Sequence, residues 1–148
     1  MDDKLEYTEE ERFYDIIKLM LDVLRKTNYE ELMAMLFLLQ ADYLALHRSP
    51  FFEYDFETGA RVPEIDELKW LSQYTEITHK TLVNRGTGIC QSINRLDRLY
   101  IKDKTKELAD LSNFDMMNKV CKSIAWTSLR LKGIGIGISK QAIYASYA

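Results

Sequence analysis

Eight consecutive apolar residues, Leu32–Leu39, lie inside a stretch that opens with Asn28-Tyr29-Glu30-Glu31 and closes at Ser49-Pro50. Asn28 with Glu31 three residues on is the pattern of a capping box, which starts a helix. The residue before a proline is pushed out of helical backbone, so the helix stops near His47. Within it Leu32, Met35, Leu36, Leu39, Tyr43 and Leu46 form a stripe at spacings of three and four, and Phe37 and Leu38 widen the apolar arc. A helix apolar around most of its girth is one surrounded by other elements. This is the expected core helix. Its apolar run falls well short of the ~18 residues of a membrane span, and no membrane partner is expected.

The flanking segments carry helical spacing too. Thr8 with Glu11 makes another capping box, Glu9 and Glu10 sit where the helix dipole favours negative charge, and Arg25 and Lys26 close the other end. Phe13, Ile16, Ile17, Met20, Leu21 and Leu24 give that helix one apolar stripe. After Pro50 the period drops to two: Phe52, Tyr54 and Phe56 alternate with Glu53, Asp55 and Glu57, the mark of an extended segment with one buried face. Thr58-Gly59 supplies a turn. Pro63 then falls at the first position of a third helix, with Glu64 and Asp66 favouring its start. Ile65, Leu68, Trp70 and Leu71 carry that helix to about Tyr74.

Asn84-Arg85-Gly86-Thr87-Gly88 breaks the chain. Ile89, Ile93, Leu96, Leu99 and Tyr100 space as a further helix, and Thr105–Leu111 as a short one. Over residues 114–131, Met117, Val120, Cys121, Ile124, Ser128 and Leu131 fall within an arc of about 100°, with Lys119, Lys122, Trp126 and Arg130 opposite. Residues 133–138 alternate glycine with isoleucine, which suits a joint or brief strand, and Ser139 caps a last helix through Ile143, Tyr144 and Tyr147. The expected fold is mainly α: a compact single-domain multi-helix bundle over 1–148, with a short extended arm or β-hairpin after the second helix.

At 148 residues the chain is long enough to bury a real core. Its net charge of −3 conceals an asymmetry: residues 1–79 hold 8 Lys/Arg against 18 Asp/Glu, and residues 80–148 hold 12 against 5. The halves either neutralise each other on folding or present oppositely charged faces, one of them to a partner. The acidic start, MDDKLEYTEEER, lacks the basic and apolar regions of a secretion signal. Cys90 and Cys121 fit reduced thiols better than a disulfide framework, so a cytoplasmic location is expected.

Residues suited to chemistry do not fall into working patterns. His47, His79, Cys90 and Cys121 do not stand at paired ligand spacing. A catalytic Cys or Ser would need a base that nothing in the sequence places beside it. The glycines of KGIGIGISK (132–140) suggest a phosphate loop, but that motif ends Gly-Lys-Ser/Thr, and here Ile138 precedes Ser139-Lys140. Paired-carboxylate catalysis would need one of Glu53, Asp55 and Glu57 in an apolar pocket; they read as the wet face of the arm. No catalytic residue, metal or cofactor is expected, and the chain is not expected to be an enzyme. Trp126 among Lys119, Lys122 and Arg130 admits three readings. It stacks bases between phosphate contacts, anchors a protein partner, or packs beneath a second layer of its own chain.

The stretch LFLLQADYLALHRSPFFEYDFETGARVPEIDEL (36–68) resembles the opening of the Panacea domain, the SocA-like antitoxin domain of phage-associated proteins. The family's apolar helix, its Pro-Leu/Phe loop, its acidic-aromatic strand and its Gly…Val-Pro-Glu turn have counterparts here. They are Leu36–Ala41 with Leu46, Pro50-Phe51, Asp55-Phe56-Glu57, and Gly59 with Val62-Pro63-Glu64-Ile65. ELADLSN (107–113) and ISKQAIYASY (138–147) resemble later family motifs, so the likeness runs from Glu30 to the end of the chain. The family's Gly-Pro-Val is Gly59-Ala60-Arg61 here, and its Thr-His is Ser112-Asn113. The resemblance implies a non-enzymatic binder that neutralises a toxin encoded beside it, or delivers that toxin to a protease. A phage copy turned against a host defence protein is a variant of this reading. The candidate partner-binding residues are Phe52, Tyr54, Phe56, Arg61, Lys119, Lys122, Trp126 and Arg130. The alternative is a nucleic-acid-binding regulator that uses the basic 80–148 half.

Overall fold

The computed structural model describes residues 7–88 and 92–148; Ile89 and Cys90 lie outside them. Helix α1 (Glu9–Leu24) starts at a complete capping box: the Thr8 hydroxyl accepts from the Glu11 N–H at 3.0 Å, and the Glu11 carboxylate accepts from the Thr8 N–H at 3.1 Å. Helix α2 (Tyr29–His47) starts at Asn28, whose side chain accepts from the Glu31 N–H at 2.9 Å. The second half of that box is altered, because the Glu31 carboxylate accepts from the Thr27 hydroxyl instead. Every residue from Leu32 to Ala41 is buried, so α2 is the central element. Its stripe ends at Leu44. Leu46, expected in the core, is 73% exposed where the helix runs past its neighbours.

Between α2 and the next long helix the chain forms a hairpin: β1 (Phe56–Thr58) pairs antiparallel with β2 (Pro63–Ile65), with Phe56 opposite Ile65 and Thr58 opposite Pro63. Pro63 is therefore a strand residue, not the first residue of a helix. A proline suits a sheet edge, where its missing N–H is not needed. The expected third helix is a 3-10 segment, Asp66–Gln73, which buries Leu68 and Leu71. The two helices expected around Ile93 and Thr105 are one, α3 (Arg95–Ala109). Its buried residues are Ile101, Thr105 and Leu108; Leu96 and Leu99, whose spacing marked the helix, are 77% and 47% exposed.

The expected helix over 114–131 is broken. Helix α4 (Asn113–Val120) ends in a tight turn, with the N–H groups of Lys122 and Ser123 bonding back only three residues, and Ser123 then caps α5 (Ile124–Leu129). That turn changes the helical phase. Trp126 rotates inward and is fully buried, while Ile124 and Leu131, expected in the core stripe, are 71% and 84% exposed. Strand β3 (Gly137–Ile138) then pairs antiparallel with β1, giving a three-stranded order β2-β1-β3, and Ser139 caps α6 (Lys140–Tyr147). Helices α3, α4 and α6 pack on α2, and α1 packs on α3. The result is the expected mainly α domain with a small hairpin-based sheet.

Candidate partner-binding surface

The arm that follows Pro50 is positioned by two polar side chains. Gln40 of α2, 1% exposed, donates from Nε2 to the Phe52 carbonyl at 2.8 Å, and its Oε1 accepts from the Phe51 N–H at 2.7 Å. An irregular backbone can enter a core only if its polar groups find such partners. Arg12 of α1 donates to the Phe51 carbonyl at 2.6 Å, lies 5.1 Å over the Phe51 ring and pairs with Asp97 of α3 at 3.6 Å. These bonds hold the backbone at Phe51 and Phe52, and the pairing of Phe56 with Ile65 and Ile138 holds the end of the arm. Phe52 sits 4.8 Å from the Phe13 ring, and Phe56 meets Phe37 edge-on at 5.1 Å.

Phe52 and Phe56 are each 1% exposed, so they cover the protein's own core and are withdrawn from a partner-binding surface. Tyr54 is half-buried against Phe13. The arm is not an open sheet edge either, since β1 has β2 on one side and β3 on the other. Thr58 closes the β3 side. Its hydroxyl donates to the Gly133 carbonyl at 2.8 Å and accepts from the Ile136 N–H at 3.0 Å.

What the arm leaves outside is charged. Asp55 pairs with Lys140 at 2.5 Å and Glu57 with Lys69 at 2.6 Å. The hydrogen bond to Glu57 holds the Lys69 ammonium above its ordinary pKa, against the opposing effect of burial. At the hairpin turn, Arg61 is exposed and pairs with Glu30 at 3.4 Å. It stands on the rim of a cleft of about 260 Å³ between Asn28, Glu31 and Ala34, Val62, and Met116 and Met117 of α4. The turn is tight enough to require glycine: a Cβ at Gly59 would lie 2.4 Å from the Val62 carbonyl and 2.0 Å from the Glu64 carboxylate. That carboxylate accepts from the Tyr29 hydroxyl at 2.8 Å, and burial followed by the Glu64 hydrogen bond raises the Tyr29 pKa.

The basic group expected around Trp126 is divided by the α4–α5 turn. Trp126 belongs to the core, and the Arg130 guanidinium covers its ring at 5.3 Å. Lys119 is half-buried, while Lys122, Arg130 and Lys132 are exposed. None of these four cations forms an ion pair among the described residues, whereas Lys104 reaches Asp42 at 2.6 Å and Lys140 reaches Asp55. Neutralisation of the two halves by each other is therefore partial. Lys104 and Lys140 neutralise carboxylates of the acidic half, and the 119–132 segment keeps its charge.

Two positioning residues were not singled out from the sequence. Gln40 stood only as the polar member of the Leu36–Ala41 motif, with no positioning role read for it. Asp15 of α1, fully buried, accepts from the Thr87 N–H at 3.0 Å, the Thr87 hydroxyl at 2.7 Å and the Ser92 hydroxyl at 2.7 Å, pinning the glycine-rich loop. A lone acidic residue among the apolar positions of an amphipathic helix was its only sequence signal. Among the described residues no group of three His, Cys, Asp or Glu could hold a metal ion; His79 is paired with Asp22 at 2.9 Å, and Cys121 is an exposed free thiol. Among the described residues no helix is long and apolar enough to cross a membrane. Comparison of the chain with protein-family models, with curated proteins and with solved structures returns no match.

Proposed function

We propose that this chain is a non-enzymatic protein-binding module of the antitoxin type, which neutralises a toxin encoded beside it by direct contact. The observation that carries the reading is the convergence of the Panacea-like segments. Gln40 from the apolar-helix motif holds the backbone of Phe51 and Phe52, and Phe37 from the same motif rests on Phe56 of the acidic-aromatic strand. Ile138, which opens the last motif, pairs with that same Phe56. Residues that carry the likeness across a hundred positions thus serve one structural unit, which supports reading them as one signature. A nucleic-acid regulator is less well supported, because the buried Trp126 offers no face on which bases stack.

An occluding binder must match its target about one for one, whereas an enzyme turns over. The test is co-expression with the neighbouring gene product, affinity capture of the pair, and growth protection titrated against toxin dose. A stoichiometric complex with dose-matched protection is expected. Absence of a complex, or full protection at a small fraction of the toxin concentration, overturns the proposal.

A further inference from the structure

We infer that the outer face of residues 122–134 is the docking surface, and that it takes an acidic segment of the partner protein with aliphatic side chains on one side. The inference rests on the antitoxin reading for the partner's role, and on the geometry of this segment for its chemistry.

Ordinarily an amphipathic stripe faces its own core. Here the α4–α5 turn sends Trp126 inward and leaves Ile124 71%, Leu131 84% and Ile134 68% exposed within eleven residues of one another. Single exposed apolar residues need no explanation; three exposed aliphatics within one short segment supply the apolar half of the proposed surface. Lys122, Arg130 and Lys132 are interspersed with them, exposed and without an ion pair among the described residues. No acidic residue follows Asp115 anywhere in the chain, so this face has nothing of its own nearby in sequence to neutralise it. Charge complementarity then sets the sign of the occupant, and the aliphatic residues set its other half.

Nucleic acid fits this face less well than protein. Base stacking needs flat aromatic faces, and the one aromatic ring in the segment is Trp126, fully buried beneath Arg130. A bilayer surface fits less well again, because helices that lie in that interface present a long apolar face, whereas α5 is six residues long.

The probe is a labelled synthetic helix with leucine at helical spacing on one side and glutamate on the other, titrated by anisotropy. Its controls are a permuted peptide of the same composition, a single-stranded oligonucleotide, and phosphatidylglycerol vesicles. The patterned peptide is expected to bind about tenfold or more tightly than the permuted one. Ile124→Glu with Leu131→Glu, and separately Lys122→Glu with Lys132→Glu, are each expected to weaken it by about tenfold. All four side chains lie outside the core, so circular dichroism and melting curves should match wild type. Equal binding of the two peptides, indifference to both double variants, or preference for the oligonucleotide or the vesicles overturns the inference. In the growth assay, wild-type protection by the Ile124→Glu/Leu131→Glu protein removes this surface and leaves the antitoxin reading standing. Failure of the wild-type protein to protect, with patterned-peptide binding intact, removes that reading and leaves the surface.

Discussion

Gln40 decides more than its size suggests. Replacing it by leucine would leave the buried Phe51 N–H and Phe52 carbonyl without the partners they now have, and orphaned buried groups cost roughly 1–3 kcal/mol each. Gln40→Leu is expected to lower the unfolding free energy by about 3 kcal/mol in a denaturant titration. Trp126 is the second such residue. Trp126→Ala should cost about 3–5 kcal/mol, because it empties a fully enclosed site. Trp126→Phe should cost much less, since the indole N–H has no acceptor among the described residues to lose. Ile124→Ala, two positions away but exposed, should stay within about 0.5 kcal/mol of wild type. Had the helical phase of 114–131 been continuous, the Trp126 and Ile124 effects would be exchanged. The helical spacing pointed to the Ile124 face as the buried one, and the structure reverses it, because a three-residue turn at Cys121–Ser123 resets the phase without proline or glycine to announce it.

At the scale of elements, capped helices were the most legible. Thr8, Asn28 and Ser139 each accept from the backbone N–H three residues on, as their positions in the sequence imply. The period-two alternation of residues 52–57 was also legible as an extended arm with Phe52 and Phe56 buried. Its use was not, because Gln40 and Arg12 reach the arm from 12 and 39 residues away in the chain, and Thr58 at the arm's end reaches Gly133, 75 residues on. The glycine loop offers a test of such a distant contact. Gly86 and Gly88 both have left-handed backbone, at φ +77° and +85°, but a Cβ at Gly86 would lie 2.4 Å from the Asp15 carboxylate, while one at Gly88 meets nothing within 4 Å. Alanine at either should cost about 1–2 kcal/mol of backbone strain. Gly86→Ala is expected to cost clearly more in thermal melts, by displacing the buried Asp15.

At the scale of the molecule, burial and ion pairing give a pH dependence with a definite sign. Burial raises the pKa of the Tyr29, Tyr100 and Tyr147 phenols, and the Tyr29 shift is reinforced by Glu64. Burial works against the charge of Lys104, but its Asp42 and Glu107 partners overcome that and raise its pKa; Lys69 is raised chiefly by its Glu57 hydrogen bond. All five groups bind their protons more tightly folded than unfolded. Their contribution is complete below the unfolded values of about 10 to 10.5, and is lost as pH rises through the folded ones. The melting temperature is therefore expected to fall steeply above about pH 10, and Tyr29→Phe should flatten that fall. The sequence by itself determined the mainly α class, the central apolar helix, the caps and the alternating arm, because each is written in residues at most four positions apart. Tertiary structure alone decided the hairpin at Pro63, the joining of two helices into α3, the inward turn of Trp126 and the exposure of the 122–134 face. Those outcomes depend on how helical phase and strand pairing are shared between distant segments, and on which buried polar groups can reach each other.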